Sequence, residues 1–262
     1  MLNEGMKNTL IVVGVGIRFL SHLTTEAKVS IKKSDKVLYL VNDPAMKNWI
    51  NEANPNNESL DFLYNSCQTR KENYLKIAKY INEILNDTKV LCFVMYGHPT
   101  FLGEPSIYAV NLAVKNGHNT YILPGISSED CLFADLKIDP SSYGCQLFEA
   151  TDFLIYNREF DTSCHLILFQ SSMIGIKGNY KNQNPRKGLQ ILMEYLLKKY
   201  SKDHKIVLYE SAQYPLIKSK IIEIPLMELP ESNISPLTTI YIPPNKVKER
   251  NETYVDMLNE IN

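Results

Sequence analysis

One stretch constrains the fold more than any other: Val90-Leu-Cys-Phe-Val-Met-Tyr96-Gly-His-Pro-Thr-Phe-Leu-Gly103. It opens as a near-continuous apolar run of strand length, the pattern of a strand buried on both faces of a parallel sheet. The run breaks at Gly97, His98 and Pro99. A helix signal follows, with Glu104-Pro105 ahead of Ile107, Ala109, Val110, Leu112 and Val114, and Gly117 beyond its end. Residues 96–103 are therefore a loop at the carboxyl end of a buried strand, where open α/β sheets bind ligands. The loop is expected to floor a cofactor site.

The same alternation runs through the first half. Residues 9–13 form a short apolar run ending in Gly14-Val-Gly16. A full G-x-G-x-x-G is absent, because Phe19 occupies the third glycine position. Two readings stand: a degenerate nucleotide-type loop, or a tight turn that needs glycine. The pattern then predicts a helix over 24–34 capped by Thr24 or Thr25, a strand over 36–41 and a helix over 44–53. A short strand over 59–63 leads into Tyr64. Residues 69–86 carry the clearest helical stripe: Tyr74, Ile77, Ala78, Ile81, Ile84 and Leu85. Residues 119–123 read as a strand, and Ser127-Ser-Glu-Asp130 has the form of a capping box before a short helix. Such alternation predicts a mostly parallel sheet covered on both faces.

The second half reads as strands over 165–170, 205–210, 220–224 and 237–242, the last closed by Pro243-Pro244. A polar loop over 175–185 precedes an amphipathic helix over 186–200, and a charged tail helix over 247–261 follows the last strand. There is no internal repeat.

Bulk properties exclude several functions. The 262 residues suit one large domain or two small ones sharing a cleft, and a net charge of −1 offers nucleic acid no bulk attraction. Cys67, Cys92, Cys131, Cys145 and Cys164 are scattered without a C-x-x-C, as in reduced cytoplasmic proteins. The apolar run over 10–17 is broken by glycines and has no cleavage site after it, so it reads as a strand, not a signal peptide. No stretch reaches the roughly 18 apolar residues that span a membrane. His22, His98, His118, His165 and His204 form no i, i+4 pair, so no metal is expected. There is no G-x-S-x-G elbow, no P-loop and no paired-carboxylate motif.

What remains is a set of tyrosines with one arginine. The chain uses arginine sparingly, at 18, 70, 158, 186 and 250, and lysine elsewhere. An arginine in such a chain favours a place where a planar fork is needed. Arg70 and Tyr74, four apart, share a helix face. Tyr64 and Tyr96 follow strand ends, and parallel strands exit on one sheet edge. The four can converge there, or Tyr74 and Tyr96 can simply pack with satisfied hydroxyls.

Tyr96-Gly-His-Pro-Thr-Phe, the segment Leu123-Pro-Gly-Ile-Ser-Ser-Glu-Asp-Cys-Leu-Phe-Ala-Asp-Leu-Lys-Ile-Asp-Pro140 and Phe148-Glu-Ala-Thr-Asp-Phe153 together resemble the tetrapyrrole-methylase superfamily of S-adenosylmethionine-dependent methyltransferases. Within it the closer likeness is to borosin-type peptide backbone α-N-methyltransferases. Porphyrin-type members carry a Gly/Pro-rich first loop with Asp and a Gly-Asp-Pro second loop. This chain has Gly14-Val-Gly-Ile-Arg-Phe19 and Gly97-His98-Pro99 instead. Borosin-type members also carry Tyr…Arg-x-x-x-Tyr…Tyr, matched by Tyr64, Arg70, Tyr74 and Tyr96.

The resemblance implies an α/β fold of two subdomains, over 1–124 and 125–244, with a cofactor cleft between them and a tail helix over 245–262. It implies S-adenosylmethionine touching Tyr96, His98, Phe101, Ser127, Ser128, Phe133, Gln170, Tyr209, Ser211, Thr238 and Thr239, with S-adenosylhomocysteine as product. For Ser127 and Ser128, helix capping is the competing role. Catalysis would fall to Tyr74 as proton acceptor, its pKa lowered by Arg70, with Tyr64 and Tyr96 orienting the amide. The chain has no apolar core-peptide tail, so the implied substrate is a separate ribosomal precursor peptide. A cytoplasmic homodimer is implied, or a heterotetramer with two peptides. The alternatives are a tetrapyrrole or corrinoid C-methyltransferase, a non-catalytic peptide-binding module, and a dinucleotide oxidoreductase resting on Gly14-Val-Gly16 alone.

Overall fold

Four largely apolar strands and one short polar one form a wholly parallel sheet: β1 (Thr9–Gly14), β2 (Lys36–Leu40), the polar β3 (Asn57–Ser59), β4 (Val90–Met95) and β5 (Asn119–Leu123), in spatial order β3-β2-β4-β1-β5. The computed structural model describes residues 7–64, 69–176, 184–246 and 248–261. Among these described residues six helices accompany this sheet: α1 (Thr25–Lys33), α2 (Pro44–Ala53), α3 (Asp61–Tyr64), α4 (Arg70–Asn86), α5 (Glu104–Lys115) and α6 (Ser128–Leu136). Their starts follow capping chemistry. Thr24 caps α1, Asp43 caps α2 ahead of Pro44, and reciprocal boxes Thr69/Glu72 and Ser127/Asp130 cap α4 and α6.

Alternate strand residues point to opposite faces. Leu10, Val12, Leu38, Leu91 and Phe93 pack with Ile77, Ile81 and Leu85 of α4 and Ala109 and Ala113 of α5. Val13, Val37, Tyr39, Cys92 and Val94 pack on the other face with Ala27 and Ile31 of α1 and Met46 and Ile50 of α2. Both faces are buried, which is why Val90–Met95 is continuously apolar rather than alternating. The strand expected over 59–63 is displaced. β3 ends at Ser59, Leu60 N bonds Tyr39 O at 2.9 Å, and the chain turns at once into α3. Tyr64 therefore ends a one-turn helix and does not leave a strand.

A second sheet is mixed, with order β6-β7-β10-β8-β9. Its strands are β6 (Cys145–Glu149), β7 (His165–Phe169), β8 (Lys205–Glu210), β9 (Lys220–Pro225) and β10 (Thr239–Ile242). β6 and β7 are parallel, and the other pairs are antiparallel. The parallel alternation therefore stops with the first sheet. α7 (Ala150–Ile155) and α8 (Arg186–Leu196) cover this sheet through Phe153, Leu189, Leu192 and Leu196, against Leu166, Leu168, Leu208 and Ile240. The tail helix α9 (Glu252–Asn259) is shorter than the 247–261 pattern, with Asn251 as its cap.

The chain divides into two compact units. The first holds Met1–Lys137, Ile176–Lys181 and Ser211–Ser219, and the second holds Ile138–Gly175, Asn182–Glu210 and Lys220–Asn262. The boundary expected after 124 thus falls inside the first unit. α6 belongs there because Asp135 pairs with Arg18 at 3.5 Å and accepts a hydrogen bond from Ser219. Cys67 lies outside the described residues, as do 177–183 of the expected polar loop.

Candidate active site

The carboxyl edge of the first sheet is clamped by glycines. A Cβ on Gly14 would lie 2.2 Å from Gly97 O and 2.8 Å from Pro99 Cδ, and one on Gly125 would lie 2.8 Å from Gly97 O. Gly16 and Gly97 form an antiparallel bridge, Gly16 N donating to Gly97 O at 3.1 Å and Gly97 N to Gly16 O at 3.0 Å. Both have positive φ, +74° and +71°. The first loop's glycines serve close packing against the 96–103 loop, so the tight-turn reading accounts for them.

His22 holds this loop from beneath. Its Nδ1 accepts from Ile17 N at 3.3 Å and Arg18 N at 3.2 Å, which requires the neutral ring. Burial, and then Arg18, lower its pKa. The unfolded chain therefore takes up this proton at higher pH than the fold does, so the contribution is complete above the unfolded pKa and is lost as pH falls below it. Between about pH 7.5 and 5.5 the melting temperature of the wild-type chain is expected to fall further than that of His22→Leu. Equal falls in thermal scans would exclude this role.

Tyr64, Arg70 and Tyr74 come together. The rings of Tyr64 and Tyr74 lie 6.0 Å apart, tilted at 48°. Tyr74 is buried at 8% exposure, whereas Tyr64 is 42% exposed. Burial raises the Tyr74 pKa above the usual phenol value, and interactions with Tyr64 add to the rise. Arg70 pulls it down and Glu104 pushes it up. The expected lowering by Arg70 is present but burial outweighs it, so the resting group is a neutral phenol. Tyr96 belongs to a different set of neighbours. Its pKa is pushed up to about 12 by burial, then by Cys131 and Asp43. Gln213 Nε2 donates to its hydroxyl at 3.5 Å.

The other first-unit candidates are placed as follows. His98 and Phe101 are half-buried in the 96–103 loop. His98 Nδ1 accepts from Thr100 N at 3.2 Å. The Ser127 hydroxyl is engaged by capping: it donates to Asp130 Oδ2 at 2.7 Å and accepts from Asp130 N at 3.1 Å. Ser128 opens α6 and Phe133 lies within it, both half-buried. Ser211 hydrogen-bonds the Cys131 thiol.

In the second unit, Gln170, Tyr209, Thr238 and Thr239 share one edge of the sheet, because β10 runs antiparallel to both β7 and β8. Gln170 is left-handed, at φ 54° and ψ 31°, immediately after β7. Strain of that kind in a non-glycine residue concentrates at functional positions. Tyr209 is fully buried and pairs with Thr239 in the ladder. Thr238 donates to Glu210 Oε1 at 2.6 Å and accepts from Ser235 N at 2.8 Å. Gln213 on Tyr96, and Asp43 in its bond to Tyr214, carry no local sequence signal for these places, since each acts on a partner fixed by tertiary structure. His22 acts locally, on residues four and five positions before it. Among the described residues no group of three or more His, Cys, Asp or Glu is placed to hold a metal, and no helix is long and apolar enough to cross a membrane.

The chain as a whole is similar to known proteins. The chain is 37% identical over 256 residues to the methyltransferase/ribosomally synthesized cyclic peptide dendrothelin A precursor of Dendrothele bispora, covering 95% of this chain and 61% of that protein. It is 34% identical over 248 residues to the omphalotin A precursor methyltransferase of Omphalotus olearius, covering 93% of this chain and 59% of that protein. It thus spans about three fifths of these relatives. Among solved structures, the uroporphyrin-III-C-methyltransferase of Thermus thermophilus superposes with a TM-score of 0.63 at 18% identity, covering 91% of this chain and 93% of that one. Another structure of that organism's enzyme, complexed with S-adenyl homocysteine, gives 0.59 at 15% identity, covering 90% and 97%. These likenesses show the fold. The tetrapyrrole (corrin/porphyrin) methylase family profile matches residues 9–230, from the first strand of one sheet into the second, and the chain belongs to that family.

Proposed function

We propose that the chain is an S-adenosylmethionine-dependent methyltransferase that repeatedly methylates backbone amide nitrogens of a separate, ribosomally made precursor peptide. The observation that carries this reading is buried Tyr74 held beside Tyr64 and Arg70. The names of relatives at 33–37% identity, each joining a methyltransferase to a ribosomally synthesized cyclic peptide precursor, support the methyl-transfer and ribosomal-peptide parts of it.

An amide nitrogen is a poor nucleophile, because its lone pair is delocalised into the carbonyl. Its proton must leave and its oxygen must be stabilised as charge builds there. A guanidinium and neutral phenols are donors suited to that oxygen. Tyr74 would take the amide proton, directly or through water, with Arg70 opposing the cost of ionising a buried phenol. Tyr64 and Tyr96 would orient the amide.

The residues present fit the methyl donor in kind. In the first unit the half-buried His98 and Phe101, and in the second the amide of left-handed Gln170, are the aromatic and amide groups that an adenosyl and an amino-acid group require. Tyr96, Ser128, Phe133, Ser211, Thr238 and Thr239 would complete the set. Ser127 serves it through backbone and cap. S-adenosylmethionine supplies an electrophilic methyl group and leaves as S-adenosylhomocysteine. In this reading the enzyme is a cytoplasmic homodimer, or a heterotetramer with two peptides.

The test adds S-adenosylmethionine with either a precursor peptide supplied in trans or a corrinoid precursor. Mass gain by successive methyl groups on the peptide is expected. Gain on the macrocycle alone would instead establish the carbon methyltransferase.

A further inference from the structure

Residues 211–219 follow β8 yet belong to the first unit, which they cross as a strap. Three contacts pin it. Phe19 N donates to Gln213 O at 2.8 Å, Tyr214 Oη donates to Asp43 Oδ1 at 2.5 Å, and Ser219 Oγ donates to Asp135 Oδ2 at 2.5 Å. Ala212 N donates to Ser219 Oγ at 3.0 Å and closes the strap at its base. The Phe19 and Tyr214 rings lie 6.2 Å apart. None of these contacts uses the Gln213 side chain. That side chain is left to reach Tyr96, its Nε2 donating to the phenol oxygen at 3.5 Å.

From this geometry we infer that Gln213 is a positioning residue, which fixes Tyr96 as a hydrogen-bond donor toward the peptide carbonyl. A phenol donates one hydrogen bond and accepts through its oxygen. An amide N–H on that oxygen occupies an acceptor position and leaves the phenol proton to point elsewhere. The polarity suits an oxygen that gains negative charge in the transition state, where a preoriented donor acts without reorganisation. Gln213 also divides the labour between the tyrosines. Tyr96 is held as donor, and Tyr74, beside Arg70, is left as the group that takes a proton. The assignment of Tyr96 to the carbonyl rests on the peptide N-methyltransferase reading. The hydrogen-bond polarity does not.

The test uses Gln213→Ala, which deletes the donor, and Gln213→Glu, which reverses it, since a carboxylate accepts the phenol proton. With 13Cζ-tyrosine labelling, the Tyr96 resonance is identified by its loss in Tyr96→Phe. Gln213→Glu is expected to move that resonance further from wild type than Gln213→Ala does. With a methylated peptide as readout, Gln213→Ala is expected to lower kcat about tenfold. Compared with wild type at the same pH, Gln213→Glu is expected to lower it about 100-fold at pH 8 and to recover past the alanine value toward wild type near pH 5, where a protonated carboxyl donates again. Melting temperatures should match wild type, because the pins of the strap are untouched. Identical resonance shifts, or equal kcat losses at every pH, would overturn the inference. A wild-type chain that methylates no peptide would remove the peptide reading, while the resonance comparison would still decide the polarity of the Gln213–Tyr96 bond.

Discussion

Tyr74→Phe is expected to slow methyl transfer by about 10²–10⁴-fold, the usual range for a positioned proton-transfer group. Donor binding, read by calorimetry, should be unchanged. The substitution removes one oxygen from a buried residue whose ring lies beside that of Tyr64, so folding should survive it. The same environment makes the group costly to ionise. Burial and Tyr64 raise its pKa, and Arg70 opposes them only in part. A phenolate base is then scarce at neutral pH, and the wild-type rate should rise by up to about tenfold per pH unit on the alkaline side. The rise should be absent in Tyr74→Phe. Arg70→Ala should also lower the rate, because the phenolate loses its neighbouring cation. Full activity in Tyr74→Phe would remove the base assignment and leave Tyr96 or water to take the proton.

Gly14→Ala is expected to be strongly destabilising. The added methyl would stand 2.2 Å from a backbone oxygen, Gly97 O, and 2.8 Å from the ring of Pro99. Neither can swing aside, because Gly97 is held by its bridge to Gly16 and Tyr96 N is bonded to Leu40 O at 3.2 Å. Relief requires the 96–103 loop to leave the sheet edge. Overpacking of this kind costs about 1–3 kcal/mol where side chains absorb it, and more where backbone must move. At about 2–4 °C per kcal/mol for a chain of this size class, melting should fall by roughly 10 °C. Donor binding should weaken in step, since Tyr96 and His98 move with the loop. Gly117→Ala is the control, because a Cβ there meets nothing within 4 Å, although its positive φ carries a small cost.

Much of the fold is legible where burial imposes a period. Val90–Met95 is apolar throughout because α4 and α5 cover one face and α1 and α2 the other. The stripe on α4 and the boxes at Thr69 and Ser127 mark helix starts from local chemistry alone. Legibility fails where a short element has a mixed environment. Cys145–Glu149 is only half-buried and shows no clean alternation, so β6 and the helix after it escape the pattern. Residues 59–63 have the apolar content of a strand, but the chain turns into α3 after Ser59. At the site, the Arg-x-x-x-Tyr spacing correctly joins Arg70 to Tyr74, yet it carries no information on depth. Depth reverses the expected pKa shift. Gln213 and Tyr96 are 117 residues apart, and no local pattern links them.

The measurement that bears most directly on function is fragmentation mass spectrometry of a precursor peptide after incubation with the purified chain and S-adenosylmethionine. A backbone N-methyltransferase places each added methyl on main-chain nitrogens of consecutive or neighbouring residues, with no gain in the Tyr74→Phe reaction. Methyl groups confined to side chains, or a peptide unchanged while a corrinoid gains mass, would contradict it.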